Sequence, residues 1–87
     1  MAKILEALAR SKSLEILFAL EKKGLNFNEI ARLTGNPTTA MRRTQELQSV
    51  GLISRKVLQD KQRSVKYSLT KKGKETLPLV KGLLKLE

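Results

Sequence analysis

The sequence predicts a mainly α-helical domain with one small β-hairpin, in the order α-α-α-α-β-β-α. Three observations carry this expectation. Apolar residues recur at helical spacing through the first fifty positions, interrupted at Ser11-Lys12-Ser13, Lys22-Lys23-Gly24 and Gly35-Asn36-Pro37. Between Leu52 and Leu69 the pattern shifts to β-rich, alternating residues around the polar run Gln59-Asp60-Lys61-Gln62-Arg63. After Thr70 the helical period returns and runs almost to the last residue. With 87 residues the chain is read as a single domain over 1–87.

The first helix holds Ile4, Leu5 and Leu8 on one side, among the good helix formers Ala7 and Ala9. Ser11 or Ser13 is the expected N-cap of the second. In that helix Leu14, Leu17 and Leu20 repeat at i, i+3 and i+6, flanked by Ile16 and Phe18. Lys22 and Lys23 suit its negative end, and Gly24 suits a left-handed cap. Asn28 is the expected cap of a short third helix, Glu29 to Thr34, with Ile30, Ala31 and Leu33 inward.

Gly35-Asn36-Pro37 then breaks the chain, and Pro37 suits the first position of a fourth helix reaching about Val50. Ala40, Thr44 and Leu47, at i, i+4 and i+7, form its inward face; a register that buries Met41 instead gives no such face. Gly51 stops this helix. Residues 52–69 form the hairpin, in whose second strand Val65, Tyr67 and Leu69 alternate with Ser64, Lys66 and Ser68. Thr70 caps the last helix. On its wheel Leu77, Val80 and Leu84 share one sector and Leu79, Leu83 and Leu86 the next, while Pro78, Lys81, Gly82 and Lys85 lie opposite.

Composition narrows function. Eighteen Lys and Arg against eight Asp and Glu give a net charge of +10, which attracts a polyanion. The chain has no His and no Cys, so it lacks the usual acid–base and thiol nucleophile groups and any zinc-ligand cluster. No phosphate-binding Gly-rich loop occurs, and the Glu residues sit mostly beside Lys or Arg at helical spacing. An enzyme, a metal and a cofactor are therefore not expected. No uncharged stretch approaches the roughly 20 residues of a membrane span, and a cytoplasmic, nucleoid-associated location is expected.

Two short helices joined at a Gly turn, then a helix ending at Gly51-Leu52-Ile53, a basic hairpin and a Thr-capped helix give the order of a winged helix-turn-helix. The residues resemble known families here. Ile4-Leu5-Glu6-Ala7-Leu8-Ala9 with Leu14-Glu15-Ile16-Leu17 looks like the start of ArsR-type regulators. Phe27-Asn28-Glu29-Ile30, Val50-Gly51-Leu52-Ile53 and Tyr67-Ser68-Leu69-Thr70-Lys71-Lys72-Gly73 resemble HxlR- and PadR-type regulators more closely. The resemblance implies a dimeric bacterial or archaeal transcription regulator that binds double-stranded DNA. Metal-sensing ArsR members carry a Cys pair where this chain has Asn26, Phe27 and Asn28, so that metal site is absent.

On this reading Thr38, Thr39, Arg42 and Gln45 project from the fourth helix toward a major groove, with Arg43 toward its edge. The first turn of that helix is expected to offer free N–H groups to a phosphate. The wing supplies Arg55, Lys56, Lys61, Gln62, Arg63 and Lys66 to the backbone or minor groove, where the same charges also protect a sheet edge. The apolar arc of the last helix exceeds what one small core covers. Leu79, Leu83 and Leu86, with Leu5 and Leu8 of the first helix, are therefore expected to form a homodimer interface, built from 1–10 and 71–87. The competing reading is a winged-helix adaptor or chromatin-type protein that binds nucleic acid without sequence preference, or binds a protein.

Overall fold

A computed structural model describes residues 3–59 and 64–87. Its elements are α1 (Lys3–Ala9), α2 (Ser13–Lys22), β1 (Leu25–Asn26), α3 (Phe27–Thr34), α4 (Pro37–Ser49), β2 (Ile53–Val57), β3 (Val65–Leu69) and α5 (Lys71–Lys85). The mainly helical fold with a small sheet is as expected, with one addition. The two-residue strand β1 pairs with β3, giving a three-stranded antiparallel sheet in the order β1-β3-β2. Leu25 lies opposite Tyr67 on one side of β3, and Arg55 lies opposite Tyr67 on the other.

The core forms where α2, α3, α4 and the sheet meet. Ile16, Leu17, Ile30, Ala40, Leu47 and Leu52 are fully enclosed, and Leu25, Ile53, Tyr67 and Leu77 close the cluster. In α2 the buried stripe is Ser13, Ile16, Leu17 and Leu20, while Leu14 is only half-buried. That stripe follows the i, i+3, i+4, i+7 rule, which a reading of the leucines alone displaces by one residue. It also corrects the expected cap. Position 13 must face inward, so Ser13 becomes the first helical residue, and Lys12 occupies the cap at φ 70° without a side-chain hydrogen bond.

Two further caps differ from expectation. Lys23, extended, ends α2, and Gly24 does not take the left-handed conformation. Asn26, not Asn28, caps α3. Its Oδ1 accepts from Glu29 N at 2.8 Å, and Glu29 Oε1 accepts from Asn26 N at 3.1 Å, a reciprocal capping box.

The α3–α4 turn follows the sequence closely. Gly35 ends α3 at φ 80°, a conformation costly to a residue with a Cβ, and its N–H donates to Ala31 O at 2.8 Å. At the far end of α4 the N–H of Gly51 donates to Gln48 O and that of Leu52 to Leu47 O, the paired bonds of a Schellman stop. Ala40, Thr44 and Leu47 are the buried residues of α4, as their spacing predicts.

Candidate nucleic-acid interface

Helix α4 has four distinct sides, set by the angle of about 100° per residue. Ala40, Thr44 and Leu47 enter the core. Thr38, Arg42 and Gln45, at i, i+4 and i+7, are exposed on the side away from it. Among the described residues no acidic side chain pairs with Arg42. Thr39, half-buried, shares the flank of Arg43 and Glu46, which faces α1. Met41 and Gln48 share the flank that faces the sheet.

The flank toward α1 changes the reading of Arg43. Its Nε donates to the carbonyl of Ser11 at 2.8 Å, and its Nη1 to Glu46 Oε1 at 2.8 Å. Only 15% of the side chain is exposed. Arg43, expected toward the edge of the DNA-facing side, thus has its guanidinium turned to the α1–α2 turn. The expectation of free N–H groups at the start of α4 is corrected. Asn36 Oδ1 accepts from Thr38 N at 2.7 Å and Thr39 N at 3.3 Å, and Pro37 has no N–H to offer.

The flank toward the sheet opens into a cleft of about 380 Å³, lined by Phe27, Met41, Gln45, Arg55, Val65 and Tyr67 among others. Arg55 of β2 and Gln45 of α4 thus face one space. Met41, nearly half exposed at 47%, borders the same space, a place the sequence reading did not assign it. The signal was present in the preferred register itself: with Ala40 inward, Met41 falls on the flank about 100° away. An unbranched apolar side chain there suits the thymine methyl group.

Strand alternation splits the other wing cations. Arg55 shares its face of β2 with Ile53, whereas Lys56 lies on the opposite face, cross-strand from Lys66. Two ammonium groups directly opposite each other are unfavourable unless an anion lies over them. Lys61, Gln62 and Arg63 lie outside the described residues. Among the described residues no three His, Cys, Asp or Glu side chains gather into a set that holds a metal ion, and no helix is long and apolar enough to cross a membrane.

The expected dimer residues divide as well. Leu79, Leu83 and Leu86 of α5 are 71%, 61% and 83% exposed, and Leu5 of α1 is exposed beside the half-buried Leu8, which packs on the core. Every residue from Lys81 to Glu87 is exposed. Leu84 shares the sector of the buried Leu77 and Val80 but is exposed at 42%, because the core ends at Val80. Lys81 is held by Glu21 of α2 at 2.9 Å.

Comparison with known proteins places this geometry. The sequence model of a family described as HxlR-like helix-turn-helix matches residues 8–87. A protein of Methanothermobacter thermautotrophicus, described as an uncharacterised HTH-type transcriptional regulator, is 40% identical over 70 residues, covering 78% of this chain and 53% of the relative. The chain thus spans about half the length of that relative. Among solved structures, diamide-treated YodB from B. subtilis superimposes with a TM-score of 0.87 at 22% identity, covering 98% of this chain and 86% of that one. A MarR family transcriptional regulator from Silicibacter pomeroyi superimposes with a TM-score of 0.79 at 28% identity, covering 97% of this chain and 57% of that one.

Proposed function

The chain belongs to the HxlR-like helix-turn-helix family, and from that premise we propose that it is a sequence-selective regulator of transcription that binds double-stranded DNA as a homodimer. Helix α4 enters the major groove, and the β2–β3 wing lies on the backbone or minor groove. The observation that carries this reading is the exposed stripe Thr38, Arg42 and Gln45 on the second helix of the helix-turn-helix, with no acidic side chain paired to Arg42 among the described residues. Arg pairs bidentately with guanine, Gln with adenine, and Thr meets a phosphate or a thymine methyl. A stripe of Lys alone would have favoured backbone binding without base preference.

The exposed leucines of α5 support the dimer. Two α4 helices one DNA turn apart, about 34 Å, then read a pseudo-palindrome. Selection of bound duplexes from a random library tests the reading. A recovered motif with two related half-sites is the expected result, and recovery of unrelated sequences returns the protein to the chromatin-type alternative. On the recovered duplex Arg42→Ala is expected to cost about 1–3 kcal/mol and to relax preference at one base pair. Lys61→Ala combined with Arg63→Ala is expected to weaken all duplexes alike and to flatten the salt dependence.

A further inference from the structure

Arg43 is the side chain that joins α4 to the turn between α1 and α2. Its Nε donates to Ser11 O at 2.8 Å, its Nη1 to Glu46 Oε1 at 2.8 Å, and its Nη2 lies 3.5 Å from Ser11 Oγ. Glu46 Oε2 in turn lies 3.5 Å from Arg10 Nε at the end of α1. One carboxylate therefore receives a cation from each side of the α1–α4 seam. The turn being gripped is itself unusual. Lys12 has φ 70°, the only non-glycine among the described residues with positive φ. A backbone in that sparsely populated region persists only when its surroundings hold it there. The bonds that do so are Ser13 N to Arg10 O, Ile16 N to Lys12 O and Arg43 Nε to the Ser11 carbonyl.

We propose that Arg43 is a positioning residue for DNA recognition: its fork onto Ser11 and Glu46 fixes the angle between α1 and α4. This rests on the DNA-binding reading above. If α1 also contributes to the dimer, the same fork transmits the geometry of the dimer to the helix that reads bases. The planar guanidinium suits the task because its donors leave in fixed directions, so both partners are met only at one relative placement of turn and helix. A Lys ammonium makes either bond but does not impose the plane.

The test uses the full chain, a duplex recovered by selection and a random duplex of equal length, with affinity measured at several salt concentrations. Arg43→Met is expected to weaken the selected duplex by about tenfold or more and the random duplex by less than about threefold. The slope of log affinity against log salt is expected to be unchanged, since each lost phosphate contact changes it by about 0.9. Arg43→Lys is expected to fail on the selected duplex nearly as badly, despite keeping the charge. Glu46→Gln, which loosens the fork from the other side, is expected to lower the selected-to-random ratio as well.

Equal loss on both duplexes with a shallower slope would overturn the proposal in favour of a phosphate contact, as would rescue by Lys or a gain on both duplexes from Glu46→Gln. Unchanged affinity in all three variants also overturns it. Should Arg43→Met not fold, the Lys and Gln variants decide on the same criteria. A wild-type chain that does not prefer any duplex defeats the DNA-binding reading instead, and does so before any variant is measured.

Discussion

The α-carbon of Gly73 lies directly against the carbonyl oxygen of Leu52, so that a Cβ built on it overlaps that oxygen and comes within 3.2 Å of Leu69 Cδ2. The neighbouring bonds fasten the same corner: Thr70 N donates to Leu52 O at 3.1 Å, Thr70 Oγ1 donates to Gly51 O at 2.6 Å, and Gly73 N donates to Thr70 Oγ1 at 3.0 Å. Two of the sequence pieces that carried the family resemblance, Gly51-Leu52-Ile53 and Tyr67 through Gly73, are thus two sides of one contact. That contact joins the end of α4 to the start of α5.

Gly73→Ala tests how rigid this corner is. Inside an exposed helix the change would stabilise by about 1 kcal/mol through helix propensity. Here the new methyl meets the Leu52 backbone and the Leu69 side chain, and overpacking of this kind costs about 1–3 kcal/mol. Since these effects oppose each other, we expect denaturant unfolding to show a net loss of up to about 2 kcal/mol. A gain in stability would show that α5 slides off Leu52 at little cost.

Asn26→Ala is expected to destabilise by about 1 kcal/mol, because it removes one arm of the capping box and leaves Glu29 N without its acceptor. Asn28→Ala is expected to change stability by less than about 0.5 kcal/mol, since Asn28 is an exposed residue inside the first turn of α3. Thermal melts of the two variants side by side distinguish them. The reverse order would place the cap where the sequence alone suggested it.

These two asparagines show where sequence reading reaches its limit. Helix α4 was legible because strong local signals bracket it: Gly35-Asn36-Pro37 before, Gly51 after, and Ala40, Thr44 and Leu47 between. The start of α3 was not, because β1 has only two residues and no period to recognise. Its strand character comes from pairing with Lys66 and Tyr67, forty residues away in sequence. The tie of Arg43 to the α1–α2 turn was not legible for the same reason. Its partner Ser11 is 32 residues distant, and nothing in the local pattern distinguishes an arginine that faces α1 from one that faces solvent. The exposure of Leu79, Leu83 and Leu86 was legible, because an apolar arc wider than the available core is visible on the wheel.

Ser13→Ala is expected to stabilise the protein by about 1 kcal/mol. Ser13 is fully buried, and its Oγ has no hydrogen-bond partner. Removing an unsatisfied hydroxyl recovers its desolvation cost, and Ala also has the higher helix propensity. The loss of one small oxygen leaves little empty space. Chemical denaturation measures the change, and a loss of stability would mean that the hydroxyl is bonded in solution.

The exposed α5 leucines make the dimer testable without disturbing the fold. Leu79 and Leu83 contribute little to the protomer core, which ends at Val80, so Leu79→Lys with Leu83→Lys is expected to leave the helical circular dichroism spectrum unchanged. In a two-fold interface the pair occurs twice, and each buried leucine is worth about 1.5–3 kcal/mol. Replacing all four by like charges is therefore enough to dissociate a dimer of micromolar affinity, which is held by about 8 kcal/mol. Sedimentation is expected to give twice the 9.8 kDa chain mass for the parent and 9.8 kDa for the variant. Affinity for a duplex with two half-sites is expected to fall far more than affinity for a single half-site, because only the dimer engages both at once. Leu77→Ala serves as the contrast: Leu77 is buried within the protomer, so its truncation is expected to cost about 2–5 kcal/mol of folding stability. A parent that sediments at 9.8 kDa, or a variant that remains dimeric, would remove α5 from the interface and require another explanation for leucines left in water.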